Sequence, residues 1–99
     1  MTRTVQLRRY ELEPGGGREF VAWWGSWIPR VRPDHGFAIE FALLDDAADE
    51  FTWAVSFDGT EDEFRAAEAR YAEDPRRIEA FTTAPPLRRQ HIAFVTPAT

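Results

Sequence analysis

Hydrophobic and polar positions along the chain switch period several times, and the switches mark the elements. Over Thr4 to Leu12, Val5, Leu7, Tyr10 and Leu12 stand among Gln6, Arg8, Arg9 and Glu11, an imperfect alternation that predicts a strand without fixing its facing. Pro14-Gly15-Gly16-Gly17 breaks it. From about Arg18 to Arg32 the apolar residues return at three- and four-residue steps. Phe20, Trp23, Trp24, Trp27, Ile28 and Val31 make one wide stripe of a helix. Pro29 lies inside that pattern and predicts a kink or an early end. Asp34-His35-Gly36 is the stop, with Gly36 suited to a left-handed cap.

Phe37 to Asp45 and Phe51 to Phe57 alternate with period two and form the clearest hairpin, joined by Asp45-Asp46-Ala47-Ala48-Asp49. In the first of these strands Phe37, Ile39, Phe41 and Leu43 are expected on one face and Ala38, Glu40, Ala42 and Leu44 on the other. In the second, Phe51, Trp53, Val55 and Phe57 oppose Thr52, Ala54 and Ser56. Thr60-Glu61-Asp62-Glu63 has the form of a capping box and opens a helix running to about Glu73, with Phe64, Ala67 and Tyr71 inward. Asp74-Pro75 starts a further helical turn carrying Ile78 and Phe81, Pro85-Pro86 ends it, and Leu87 to Val95 is a last strand.

Strand, helix, strand, strand, helix, strand is the ferredoxin-like βαββαβ order. The fold class is α+β: one four-stranded antiparallel sheet, strand order 4-1-3-2, with both helices on one face. Residues 1–99 make a single domain. The opposite sheet face is left to water or to a partner. Ala38, Ala42, Leu44 and Ala54 are poor residues to show to water, so a second sheet is the economical cover.

Charge sharpens this picture. The net charge is -5, which argues against nucleic acid as a partner. Residues 33–64 hold ten acids and no lysine or arginine, whereas the remainder holds seven acids and all twelve arginines. An antiparallel homodimer would set the basic fourth strand of one chain against the acidic second strand of the other. There is no cysteine, which removes disulfides and thiolate chemistry, and no run approaches a membrane span. The opening Met1 to Gln6 lacks a signal-peptide core, and a soluble cytoplasmic protein is expected.

Several motifs resemble the NIPSNAP family. They are Leu7-Arg8-Arg9-Tyr10-Glu11-Leu12-Glu13-Pro14-Gly15, then Pro29 through His35-Gly36-Phe37, Trp53 in a strand, Ala72-Glu73-Asp74-Pro75, and a closing strand with Pro97. The resemblance covers nearly the whole chain. It implies a dimeric α/β barrel, in which two such sheets face each other. It also implies a superfamily of cofactor-independent monooxygenases acting on polyketides, isomerases, haem proteins and small-molecule binders, several with a pocket between sheet and helices.

Candidate chemistry is sparse. His35 and His91 are the two histidines, each able to serve as a general base, with a turn-stabilising hydrogen bond the plainer role for His35. Their spacing makes no zinc motif, and no metal or cofactor is called for, although one histidine could hold haem iron. Glu40, among small neighbours, could be a desolvated base or an ion-pair partner. Arg9 and Tyr10 could meet a developing oxyanion, but adjacent strand residues face opposite ways, so one of them is structural. Trp24, Trp27, Trp53 and Phe41 are candidates for the walls of a flat ligand site, at least two of the tryptophans being core. The expected function is a homodimeric small-molecule protein, an enzyme acting without metal on a hydrophobic, aromatic or polyketide-like metabolite as a monooxygenase, cyclase or isomerase. Against it stand a non-catalytic binding or scaffolding dimer and a haem-binding barrel.

Overall fold

A computed structural model describes residues 2–98, so the domain expected over 1–99 includes two residues, Met1 and Thr99, that lie outside the described residues. The elements are β1 (Arg3–Leu12), α1 (Gly17–Asp34), β2 (Phe37–Asp45), β3 (Glu50–Asp58), α2 (Glu61–Ala72), α3 (Pro75–Phe81) and β4 (Leu87–Val95). The strands form one antiparallel sheet in the order β2-β3-β1-β4, which is the ferredoxin-like arrangement. The core lies between this sheet and the helices, where Phe20, Trp24, Trp27, Ile28 and Val31 of α1 and Phe64, Ala67 and Tyr71 of α2 meet Tyr10, Phe51, Trp53 and Val55.

The helix boundaries follow local chemistry. Thr60 accepts from the Glu63 amide, and the Glu63 carboxylate accepts from the Thr60 amide, closing the capping box. The same bonds hold the Glu63 carboxyl below its ordinary range. Asp74 caps α3 by accepting from the Arg76 amide, with Pro75 just inside the helix. Gly36 leaves α1 at φ +89°, and a Cβ there would come within 2.9 Å of the Phe57 ring.

α1 does not end at Pro29. It continues through Pro29 and Pro33 to Asp34. A proline in a helix interior costs about 3 kcal/mol. Beyond Pro29 the helix buries both Val31 and Arg32 and is closed by the His35 amide donating to the Arg32 carbonyl and the Gly36 amide donating to the Pro33 carbonyl. Those gains explain why the turn is kept.

The facing of β2 also departs from strict alternation. Its register with β3 slips between Ile39 and Phe41, so that Ile39 pairs with Val55 and Phe41 with Ala54. This bulge puts an extra residue into the strand and reverses all side chains after it. Ala42 and Leu44 therefore join the helix side, while Phe41 and Leu43 turn to the outer face. That outer face keeps Ala38 and Ala54 as expected but carries Phe41 and Leu43, exposed at 42% and 62%, where Ala42 and Leu44 were expected.

β1 shows a second inversion. Gln6, Arg8, Tyr10 and Leu12 face the helices, and Val5, Leu7, Arg9 and Glu11 face outward. Its apolar residues change sides midway, which is why the alternation in the sequence is imperfect. Among the described residues no helix is long and apolar enough to cross a membrane.

A polar cavity between the sheet and the tryptophan helix

The helix-facing inversion of β1 places Arg8 and Tyr10 under α1 and opens a cavity of about 210 Å³. Its aromatic walls include Tyr10, Trp24, Trp53 and Tyr71, and its charged lining is Arg8, Arg32, Glu68 and Arg77. Phe81, Ala84 and Pro85 border it where α3 runs into β4.

One carboxylate organises two guanidinium groups. Arg8 Nη2 donates to Glu68 Oε1 at 2.7 Å, and Arg32 Nη1 donates to Glu68 Oε2 at 2.7 Å. Arg8 also donates from Nε to Gln6 Oε1 at 2.8 Å and from Nη1 to the Tyr10 hydroxyl at 3.1 Å. The Tyr10 oxygen is thus an acceptor toward Arg8, which leaves its own proton free to donate. Arg32 is 2% exposed, with its guanidinium carbon 4.0 Å from the Tyr71 ring centroid and 4.8 Å from that of Phe37. A cation placed this close to aromatic faces and away from water suits a weakly hydrated guanidinium better than an ammonium. Burial pushes the Tyr71 phenol above its ordinary range, against the pull of Arg32, Arg77 and Arg8, so Tyr71 stays neutral.

Donors are in excess. The buried side-chain nitrogens without a protein partner among the described residues are Trp24 Nε1, Trp27 Nε1, Trp53 Nε1, Arg32 Nε and Arg77 Nε, and all of them are donors. Four of those five residues line the cavity. A buried unpaired donor costs about 1–3 kcal/mol.

The residues singled out from the sequence separate into three places. Tyr10, Trp24 and Trp53 line the cavity. Trp27 stands behind it, stacked on Tyr71 with ring planes 2° apart and packed edge-on to Trp23 and Phe81. Arg9, His91, Glu40 and Phe41 belong to the outer sheet face: Arg9 pairs with His91 across β1 and β4, and Glu40 accepts from the Ser56 hydroxyl at 2.6 Å. For Phe41 the bulge is the reason, since it turns the ring away from the helix side where a ligand wall was expected. Arg3 of the same chain approaches Glu40 to 3.5 Å. His35 lies apart from both, its Nε2 2.8 Å from Asp74 Oδ2 and its ring edge-on to Tyr71. Neither histidine lines the cavity, so a proximal histidine for haem is not formed in it.

Sequence reasoning passed over Arg8, Arg32, Glu68 and Arg77. Signals existed for two of them. Glu68 falls on the inward stripe of α2 at 64, 67, 68 and 71, and Arg32 extends the α1 stripe four residues past Ile28. A charge on an apolar stripe marks a buried polar site.

No family sequence model matches this chain, and no curated protein does. Its structure does find relatives. An uncharacterised NIPSNAP domain protein from Burkholderia xenovorans superposes with a TM-score of 0.83 at 19% identity, over 96% of this chain and 94% of that one. A NIPSNAP family protein of unknown function from Agrobacterium tumefaciens gives 0.85 at 15% identity, over 97% and 88%. SnoaB, a cofactor-independent oxygenase from Streptomyces nogalater, gives 0.66 at 17% identity, over 100% and 96%. At such identities the likeness is one of fold. The chain has the ferredoxin-like fold of the NIPSNAP-domain proteins.

Proposed function

We propose that this chain is a NIPSNAP-like homodimeric protein of small-molecule, and specifically secondary, metabolism that takes a planar aromatic metabolite between its sheet and α1. The observation that carries the reading is the cavity itself, walled by Tyr10, Trp24 and Trp53 and lined by residues whose buried donors lack partners. A space of about 150 Å³ holds one benzene ring, so about 210 Å³ suits one substituted ring, with larger ring systems extending through the mouth beside α3. Aromatic walls supply dispersion and stacking, and Tyr10 offers a donor to an oxygen on the ring.

The likeness to SnoaB supports an enzyme of the oxygenase, cyclase or isomerase type that works without a metal. In such chemistry the cavity's part is to hold negative charge as it develops, with Tyr10 donating and Arg8 polarising it. One observation favours a second reading, binding without turnover. Among the described residues the cavity's one carboxylate, Glu68, already accepts from two guanidiniums through both of its oxygens, and no histidine lines the cavity. In the dimer reading, the exposed Phe41, Leu43 and Val95 of the outer face meet those of a second copy, and His91, Glu40 and Arg9 become interior polar groups of the barrel.

Titration with a panel of one- and two-ring aromatic compounds, followed by tryptophan fluorescence and by crystallographic density, tests the reading. Saturable quenching with density against Trp24 and Trp53 is the expected result. A panel in which nothing binds sinks it.

A further inference from the structure

We propose that the cavity selects an anion: a single aromatic ring bearing a carboxylate, or an equally charged ring oxygen, seated with its negative end toward Arg8, Arg32 and Arg77. The proposal rests on the aromatic-ligand reading above and adds the charge of the ligand to it.

Three guanidiniums line the cavity and one carboxylate answers them. Both Glu68 oxygens are already taken, Oε2 by Arg32 Nη1 and Oε1 by Arg8 Nη2, with a further approach of Arg32 Nη2 to Oε1 at 3.4 Å. Arg77 has no part in that arrangement. Its guanidinium rests 4.4 Å from the Phe81 ring centroid and 5.4 Å from that of Tyr71, with a buried Nε lacking any partner. The group is half-buried and has no ion-pair partner among the described residues, so its charge rests on the aromatic faces around it.

Hydrogen bonding points the same way. The polar lining is dominated by donors, namely three guanidiniums and the Tyr10 hydroxyl, whose oxygen already accepts from Arg8. A carboxylate accepts through two oxygens and has no donor of its own, so it matches this lining where an amide or alcohol matches it in part. The walls explain the ring. Trp24 and Trp53 meet edge to face at 5.5 Å, and an aliphatic acid would leave that surface without a partner.

The experiment compares benzoate with benzamide, which has the same shape without the charge, and with acetate, which has the charge without the ring. Binding is read by calorimetry and tryptophan fluorescence at pH 7 and low salt. Benzoate is expected to bind about tenfold tighter than either, the scale of one charge-assisted hydrogen bond. Arg77→Gln should bring benzoate down to the benzamide level, and Arg8→Gln should weaken benzoate by a larger factor than benzamide. Arg77 is partly exposed, so its variant keeps the fold even where Arg8→Gln does not. Benzamide binding as tightly as benzoate overturns the anion and leaves the aromatic cavity standing. Acetate equal to benzoate overturns the ring. Failure of all three to bind removes this proposal together with the reading it rests on.

Discussion

The two faces of the sheet are made by the same strands and differ in every other respect. On the helix side Trp53, Val55 and Phe51 are sealed at 1%, 0% and 2% exposure, and the polar groups among them are tied to partners that cross between elements. On the outer side Phe41, Leu43 and Val95 stand in water, and the polar groups pair with near neighbours, as Glu40 does with Ser56. Arg8 and Arg9 are adjacent in sequence, yet one enters a buried network and the other faces out. The strand's two-residue period sorts neighbouring residues into different chemistries.

The sharpest way to break this contrast is to truncate one side chain on each face. Phe64 is fully buried where α2 packs on Phe37 and Phe94. Phe64→Ala should cost about 3–5 kcal/mol by chemical denaturation, whereas His91→Ala on the outer face of the isolated chain should cost less than about 0.5 kcal/mol. Comparable losses would mean that the outer face is already buried in solution.

The charged part of the helix side gives the next effect. Glu68→Gln leaves Arg8 and Arg32 without their shared counter-charge, and Arg32 cannot reach water. Because Glu68 itself is 30% exposed, the loss should fall near the lower end of the range for a broken buried pair, about 3 kcal/mol. Urea denaturation at pH 7 measures it. An unchanged midpoint would show that solvent already reaches both guanidiniums.

How much of this contrast could be read in the sequence depends on the element. The start of α1, the β2–β3 hairpin, the Thr60 cap and the Asp74-Pro75 start are each set by residues within a few positions of one another and stand where the pattern put them, while α1 runs on through the proline expected to end it. The facing of β2 was hidden because the bulge is a matter of pairing with β3, and nothing local in Phe37-Ala38-Ile39-Glu40-Phe41 announces it. The cavity was half legible. Tyr10, Trp24 and Trp53 announced themselves as aromatic residues, but Glu68 meets Arg8 and Arg32 across 60 and 36 residues of chain. Such a triad exists only after the fold does. The histidines attracted attention for their chemistry, and the fold put neither of them at the cavity.

The outer face offers a test with little effect on the single chain and a large one on any assembly. Leu43→Arg replaces the most exposed of its large apolar side chains and removes nothing from the core. It should shift stability of an isolated chain by no more than about 0.5 kcal/mol. If two copies cover this face, light scattering at micromolar concentration will show the mass fall from dimer to monomer. A wild-type chain that is already monomeric ends the homodimer reading.

The smallest effect belongs to the junction that sets α3 against the end of α1, beside the cavity and outside the contrast of faces. Asp74 accepts from the Arg76 amide and guanidinium and lies 2.8 Å from His35, while Arg76 reaches on to Asp34. Arg76 first, and then His35, hold the Asp74 carboxyl well below its ordinary value of 3.8. A carboxylate with a depressed folded value contributes stability that is fully present above the ordinary value and lost as pH falls through it toward the folded one. Asp74→Asn keeps a side-chain oxygen for the cap and loses the charge. The variant should therefore melt modestly lower than the parent at pH 7, and the two melting curves should converge as the pH is taken below 3.8. A gap that persists unchanged into strong acid would assign the loss to packing around His35 and Tyr71 instead of to charge.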